Sequence, residues 1–209
     1  MNSTMGNLIV FTGPSGVGKG TVVKELFKNL DNLIFSVSVT TREKRSGEED
    51  GKNYFFRTNH EFDELIQADK LLEWAEFVGN KYGTPKDFVF EKLKDGTDVF
   101  LEIEVQGALQ VKEKFPEALM IFLLPPSIDE LEARLRKRAT EPEEKILLRL
   151  AKARDEMKYI NDFDFSVIND SAQRAGKELR EIILSRRIEK KNLLINGYER
   201  PIPNVQFQG

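Results

Sequence analysis

Apolar positions along this chain switch between strand-like and helix-like spacing. Leu8-Ile9-Val10-Phe11 is a short β-favouring run that stops at the turn signal Gly13-Pro14. From Thr21 to Leu30, the apolar residues Val22, Val23, Leu26, Phe27 and Leu30 recur at helical spacing and predict one buried face. Strand, Gly-rich turn and helix together open an α/β fold. The texture changes between Asp31 and about Gly96. Ile34 to Val39 alternates like a single strand, Thr40 to Lys52 is polar, and Tyr54-Phe55-Phe56 is a short strand. His60 to Ala68 predicts a helix, Leu71 to Val78 another strand, and Gly79-Asn80 a turn. Short strands clustered this way predict a small β-rich subdomain inserted into the α/β frame.

The α/β rhythm then resumes. Lys86 to Lys94 predicts a helix and Asp98 to Ile103 a strand with a polar end. Ala108 to Phe115 is helical, with Gln106-Gly107 opening it. Leu119 to Leu124 is wholly apolar, as a parallel strand covered on both faces must be. Pro125-Pro126-Ser127 stops it, and Ser127 with Glu130 three positions on predicts a helix N-cap. Ile128 to Arg138 and Glu143 to Tyr159 predict Arg-rich helices, Phe165 to Ile168 a last strand, and Ala172 to Lys191 an amphipathic helix. A loose tail is expected beyond Asn196. Trp74 and the Phe-rich segments are assigned to the core, and His60 to the surface at a helix start.

Composition narrows the chemistry. The 209 residues fit one domain with insertions. With 32 Lys+Arg against 35 Asp+Glu, the near-neutral balance argues against broad nucleic-acid or membrane binding. The absence of Cys excludes disulfides, Cys-ligated zinc or iron–sulfur sites and thiol chemistry. One His, His60, excludes multi-His metal sites and speaks against a Ser–His triad. The start of the chain lacks a basic segment followed by an apolar run, and no stretch reaches about 18 uninterrupted apolar residues. The expected location is the cytoplasm.

The most informative segment is Gly13-Pro14-Ser15-Gly16-Val17-Gly18-Lys19-Gly20-Thr21. Its glycines let successive backbone N–H groups turn inward and cradle phosphate oxygens. The following helix adds its positive end, and Lys19 a compact cation. The match to the phosphate-binding pattern is complete through Lys19. Gly20 then stands where Ser or Thr is usual, and the hydroxyl comes one later at Thr21. This segment alone fits any P-loop NTPase or kinase.

Other residues are ambiguous on spacing alone. Glu73 reads as a solvated strand residue, Arg42 and Arg45 as a solvated loop, and Glu102 and Glu104 as an exposed strand end. Arg134, Arg138, Arg149 and Arg154 read as helix-surface partners for Glu130, Glu132, Glu143 and Glu144. Taken together, however, the motifs resemble the guanylate kinase family from about Leu8 to about Arg187. The resemblance rests on the Gly13–Lys19 loop, Ser36-Val37-Ser38-Val39-Thr40-Thr41-Arg42, Arg45 with Gly47-Glu48, and Gly51-Lys52-Asn53-Tyr54-Phe55-Phe56. It continues in Glu73-Trp74-Ala75, Gly79-Asn80-Lys81-Tyr82-Gly83-Thr84, Leu101-Glu102-Ile103-Glu104-Val105-Gln106-Gly107, Pro125-Pro126-Ser127 and Val167-Ile168-Asn169-Asp170.

That resemblance implies transfer of the terminal phosphoryl group of ATP to GMP, giving ADP and GDP, in purine nucleotide metabolism and GMP recycling. It implies magnesium as cofactor, ATP and GMP as partners with no nucleic acid or membrane, and either a monomer or a homo-oligomer. The implied architecture is a P-loop kinase core (6–34, 86–125 and 158–187), a GMP-binding subdomain at about 35–85, a helical lid at about 126–157, and a C-terminal extension over 188–209. Residues Gly13 to Thr21, Arg134 and Asn169 would hold ATP. Ser38, Arg42, Arg45, Tyr54, Glu73, Tyr82, Thr84, Glu102 and Glu104 would hold GMP. Lys19, Arg42, Arg138 and Arg149 would be catalytic. Glu104 would place magnesium through water, with Thr21 as a further metal contact. Ala139 stands where the family usually has Gly. The chemistry of Glu73 agrees with its implied role, because an ionised carboxylate accepts both N1–H and the exocyclic NH₂ of guanine, whereas adenine offers an acceptor at N1. Two rivals are a binding module of this fold that has lost catalysis and a nucleoside monophosphate kinase of different base preference.

Overall fold

In the computed structural model, which describes residues 5–77, 79–137 and 142–195, both faces of the central sheet are buried. The first strand, β1 (Leu8–Thr12), shows how. Ile9 and Phe11 enter one core and Leu8 and Val10 the other, as the two-residue period of a strand dictates. Helix α1 (Lys19–Phe27) follows it directly. The chain then forms β2 (Leu33–Phe35), β3 (Val39–Thr40), β4 (Phe55–Phe56), α2 (Asn59–Gln67), β5 (Leu71–Phe77), β6 (Asn80–Pro85) and α3 (Lys86–Lys94). It continues through β7 (Asp98–Glu102), α4 (Val105–Lys114), β8 (Leu119–Leu124), α5 (Ile128–Lys137), α6 (Glu143–Glu156), a 3-10 turn (Met157–Asp162), β9 (Phe165–Ile168) and α7 (Ala172–Ile195).

Five strands form a parallel sheet in the order β2-β7-β1-β8-β9. On one face, Val22 and Leu26 of α1 and Ala175, Leu179 and Ile183 of α7 pack on Phe100, Ile121 and Leu123. On the other, Val89, Phe90 and Leu93 of α3 and Ala108 and Val111 of α4 pack on Val99, Leu101 and Met120. This helix–sheet–helix layering is an α/β fold. The strand carrying the Gly-rich turn is central, so that turn opens at the carboxyl edge of the sheet, where ligands of open α/β sheets bind.

A second, four-stranded sheet has the order β4-β3-β6-β5. It closes its own small core of Val39, Phe62 and Leu71. The start of α2 is fixed by a capping box: Thr58 Oγ1 accepts from Glu61 N while Glu61 Oε2 accepts from Thr58 N. Leu131, Leu135, Ile146, Leu150 and Ala153 join α5 and α6 in a third cluster.

Most predicted elements fall where expected, with several corrections. Ile34 to Val39 is not one strand. Leu33–Phe35 pairs in parallel with β7, whereas Val39–Thr40 belongs to the small sheet, so the chain passes from one sheet to the other at residues 36–38. Alternation alone could not show that the partner changes midway. Asn80, expected in a turn with Gly79, instead opens strand β6, whose polar and glycine positions hide a strand stabilised by pairing with β5. Helix α1 begins at Lys19, α4 begins at Val105, and α6 ends at Glu156 before the 3-10 turn. Trp74 is 37 % exposed rather than a core residue. His60 is exposed near the start of α2, as expected. Ser127 Oγ does cap its helix, accepting from Glu130 N at 3.0 Å. Arg138, Ala139 and the tail beyond Ile195 lie outside the described residues. Among the described residues, no helix is long and apolar enough to cross a membrane.

Candidate active site

The Gly-rich turn wraps the end of β1 and becomes the N-terminus of α1. Gly18 caps that helix with φ +100°, a left-handed conformation, and a Cβ there would meet Asn169 Nδ2 at 2.7 Å. Lys19 is the first helical residue, and its ammonium reaches back to donate to the Gly13 carbonyl at 2.5 Å. The loop is braced from outside. Asn169 Nδ2 donates to the Val17 carbonyl at 2.7 Å, and Arg134 of α5 donates to the Val17 carbonyl at 3.3 Å and the Asn169 carbonyl at 3.0 Å. Arg134 also pairs with Glu130 at 3.0 Å, the partner its helical spacing suggested. Thr21 and Gly20 are exposed on the first turn of α1.

Between this loop and the small sheet lies a cleft of about 250 Å³. Lys19, Glu102 and Glu104 line its core side, and Ser38, Arg42, Arg45, Tyr54, Glu73 and Tyr82 its other side. Eight of the nine residues implied for GMP, all but Thr84, are therefore brought together from strands and loops far apart in sequence. Arg149 does not line the cleft; it is half-buried on α6.

Three groups within the cleft have distinct chemistry. Arg42 lies over the Tyr54 ring at 5.4 Å, and Tyr54 meets Tyr82 edge-on at 6.0 Å. Glu48 ties this group together: its carboxylate accepts from Arg42 Nη2 at 2.7 Å and from the Arg45 backbone N at 2.8 Å. That hydrogen bond raises the pKa of Arg42 and lowers that of Glu48. Burial raises the Tyr54 pKa. Guanidinium and phenol donors converging here can hold a phosphate.

The second group is Glu73, 3 % exposed on β5. Thr84 Oγ1 donates to Glu73 Oε1 at 2.6 Å. The opposite oxygen lies against Gly107 of α4, where any Cβ would overlap it. Burial pushes the Glu73 carboxyl up to about 7, against the opposing pull of the Thr84 hydrogen bond and the Lys114 charge. Such a carboxyl, which accepts one hydrogen bond from Thr84 and lines the cleft, offers its remaining acceptor capacity to a ligand with adjacent N–H donors.

The third group is acidic. Glu102 ends β7, and burial raises its pKa while Lys19 pulls it down. Glu104 precedes the first turn of α4 and accepts from Lys152 Nζ at 3.2 Å. Lys152 also lies 3.5 Å from Glu156 and 3.5 Å from the Phe77 ring centre. Glu156 is buried, its Oε2 has no hydrogen-bond partner, and burial raises its pKa to about 7. Sequence reasoning missed Lys152 and Glu156, and gave Glu48 no role. The i, i+4 spacing of Lys152 and Glu156 marks an ordinary helix pair. Only the fold brings Glu104 beside them.

Comparison with known proteins agrees with this geometry. The family model described as guanylate kinase matches residues 5–186. The guanylate kinase of Oceanobacillus iheyensis is 50% identical over 188 residues, covering 90% of this chain and 91% of that protein. That of Lactococcus lactis is 52% identical over 178 residues, covering 85% and 87%. The crystal structure of guanylate kinase from Anaplasma phagocytophilum superposes with a TM-score of 0.76 at 28% identity, covering 96% of this chain and 100% of that one. With the Gly-rich turn and the second sheet in place, and the family model matched over nearly the whole chain, the chain belongs to the guanylate kinase family.

Proposed function

We propose that this nucleoside monophosphate kinase transfers the terminal phosphoryl group of ATP to GMP while holding the two nucleotides end to end across the cleft. The observation that carries the reading is Glu73, a buried carboxylate in the same cleft as Arg42, Arg45 and Lys19. Its two oxygens suit N1–H and the 2-amino group of guanine, with Ser38 and Thr84 at the same edge. Arg42, Arg45, Tyr54 and Tyr82 would grip the acceptor phosphate. The loop from Gly13 to Gly20 would cradle the ATP phosphates, with Thr21 following, and Lys19 would bridge them. Asn169 and Arg134 would support that loop beside the ATP base.

No general base is required, because the attacking phosphate oxygen is already anionic. The work is alignment and neutralisation of charge that shifts during in-line transfer. Arg138 and Arg149 belong to the region we assign to the lid, about 126–157. Their guanidinium groups would screen the moving phosphoryl group when it closes. We assign 35–85 to acceptor binding, the segments 6–34, 86–125 and 158–187 to the core, and 188–209 to an extension.

Magnesium fits the acidic end. Glu104 already faces a cation, the Lys152 ammonium, and the neighbouring Glu156 carries a buried oxygen without a partner. Among the described residues, no group of three or more acidic or His side chains forms a complete cation cage. That suits an ion held by one or two carboxylates together with nucleotide phosphates. Glu104 would hold it through water, and Thr21 offers a hydroxyl on the loop side. When bound, the ion neutralises phosphate charge. The near-neutral charge balance argues against nucleic acid and membrane as partners, and the cytoplasm is the compartment where its nucleotides would be met.

A coupled assay with ATP as donor tests this reading, comparing GMP, AMP, UMP and dTMP as acceptors. ADP release with GMP at least about a hundredfold faster than with AMP is expected from a carboxylate that rejects an unmatched base. Equal rates would favour a kinase of other base preference. GMP binding without ADP release would favour a binding module.

A further inference from the structure

Strand β5 is the edge of the small sheet, yet its outer backbone groups are not left bare. Gln110 Nε2 donates to the Trp74 carbonyl at 2.6 Å, and Gln110 Oε1 accepts from Trp74 N at 3.3 Å. One turn further along α4, Lys114 Nζ donates to the Leu72 carbonyl at 2.8 Å. Gly107, one turn before Gln110, receives the Glu73 carboxylate at close contact. Positions 107, 110 and 114 fall on one helix face. That face therefore binds the backbone on both sides of Glu73 while Gly107 leaves room for its side chain. The amide of Gln110 stands in for the missing neighbouring strand.

We infer that Gln110 and Lys114 are positioning residues for guanine selection, fixing the place of Glu73 through the backbone of Leu72 and Trp74. The inference rests on Glu73 being the base-reading group. Two parallel hydrogen bonds to a planar base edge tolerate little displacement, because donor–acceptor geometry weakens steeply away from its optimum. A strand edge held only by its inner neighbour, β6, would let the carboxylate drift. Lys114 adds a positive charge that favours the ionised form of Glu73 against its burial. If these contacts served stability alone, their loss would weaken all acceptors alike.

The test compares GMP with inosine monophosphate, which lacks the 2-amino group and so engages the carboxylate through N1–H only. In the full chain, Gln110→Leu keeps the size and removes both bonds. The expected result is a fall of about tenfold in kcat/KM for GMP. The preference for GMP over inosine monophosphate should fall by about threefold, with KM for ATP changed by less than about twofold. An unchanged preference overturns the inference, whatever happens to the melting temperature. Should Gln110→Leu fail to fold, Lys114→Met and Lys114→Arg decide the matter: Met should lower the preference and Arg restore it, and equal preference in all three proteins overturns it. Glu73→Gln is run alongside. Preference lost there but intact in the Gln110 and Lys114 variants overturns this inference alone; preference intact in Glu73→Gln overturns the base reading beneath it.

Discussion

Lys152 Nζ and Glu104 Oε2 lie 3.2 Å apart, joining helix α6 to the segment that follows β7. The same ammonium rests on the ring of Phe77, a residue of the small sheet. Three parts of the molecule thus meet on one side chain. Removing it would leave Glu104 and Glu156 as neighbouring carboxylates with no cation between them. Lys152→Met should lower stability by about 1 kcal/mol, the upper range for a partly exposed pair. For a chain of this size that is about 2–4 °C in melting temperature. Lys152→Arg should recover most of the loss. Scanning calorimetry of the three proteins checks this, and identical melting temperatures would remove any structural weight from the contact.

With Glu73 as the proposed base-reading group, acceptor binding depends on pH. Its carboxyl is raised to about 7, so in the free protein it is largely protonated below that pH. Guanine donors favour the ionised form. GMP binding should therefore strengthen as pH rises from about 5.5 to about 7.5, and near pH 6.5 it should release a proton. Titration calorimetry in buffers of different ionisation heat measures the release. Glu73→Gln supplies the baseline, because the phosphate of GMP also titrates in this range. The linkage to folding has the opposite slope: a carboxyl whose pKa is raised in the native state contributes stability that falls as pH climbs from about 4.5 to about 7.

Gly107 tests the walls of the pocket. A methyl group at this position overlaps the Glu73 carboxylate, and the packed helix face gives it little room to retreat. Gly107→Ala should raise KM for GMP by about tenfold or more while leaving KM for ATP within about twofold. Steady-state kinetics with each substrate varied in turn separates the two. Equal effects on both substrates would point to general distortion instead.

Asn169 tests the other end. Its side chain is committed to the Val17 carbonyl at 2.7 Å in a buried position. Asn169→Ala leaves that carbonyl only the longer Arg134 bond at 3.3 Å and should cost about 1 kcal/mol. Because the brace acts on the loop proposed to cradle the ATP phosphates, KM for ATP should rise several-fold with KM for GMP nearly unchanged. A loss of stability without any change in KM for ATP would mean that the loop holds its shape without Asn169.

How much of this could be read from the residues depends on the range of the interaction. The turn from Gly13 to Lys19 was legible because its structure is local, with glycines, lysine and helix start adjacent in sequence. The same holds for Ser127 and its cap. The division of Ile34 to Val39 between two sheets was not legible, since alternation reports a face and not a partner. Nor was β6, where Gly83 and polar residues conceal a strand stabilised by its neighbours. At the site, the motifs grouped Glu73 with residues that line the same cleft in the fold. The burial that gives it an unusual pKa comes from α4 and β6 together. Lys152 and Glu156 were invisible because their significance depends on Glu104, roughly fifty residues away.

The most direct test of the account is the kinetics of Glu73→Gln with GMP as acceptor. The substitution keeps shape and volume but replaces an acceptor oxygen with a donor amide facing the base. The account predicts a fall in kcat/KM for GMP of about a hundredfold or more, with the melting temperature held or raised, because a buried ionisable group is removed. GMP turnover within about threefold of the parent protein would contradict it.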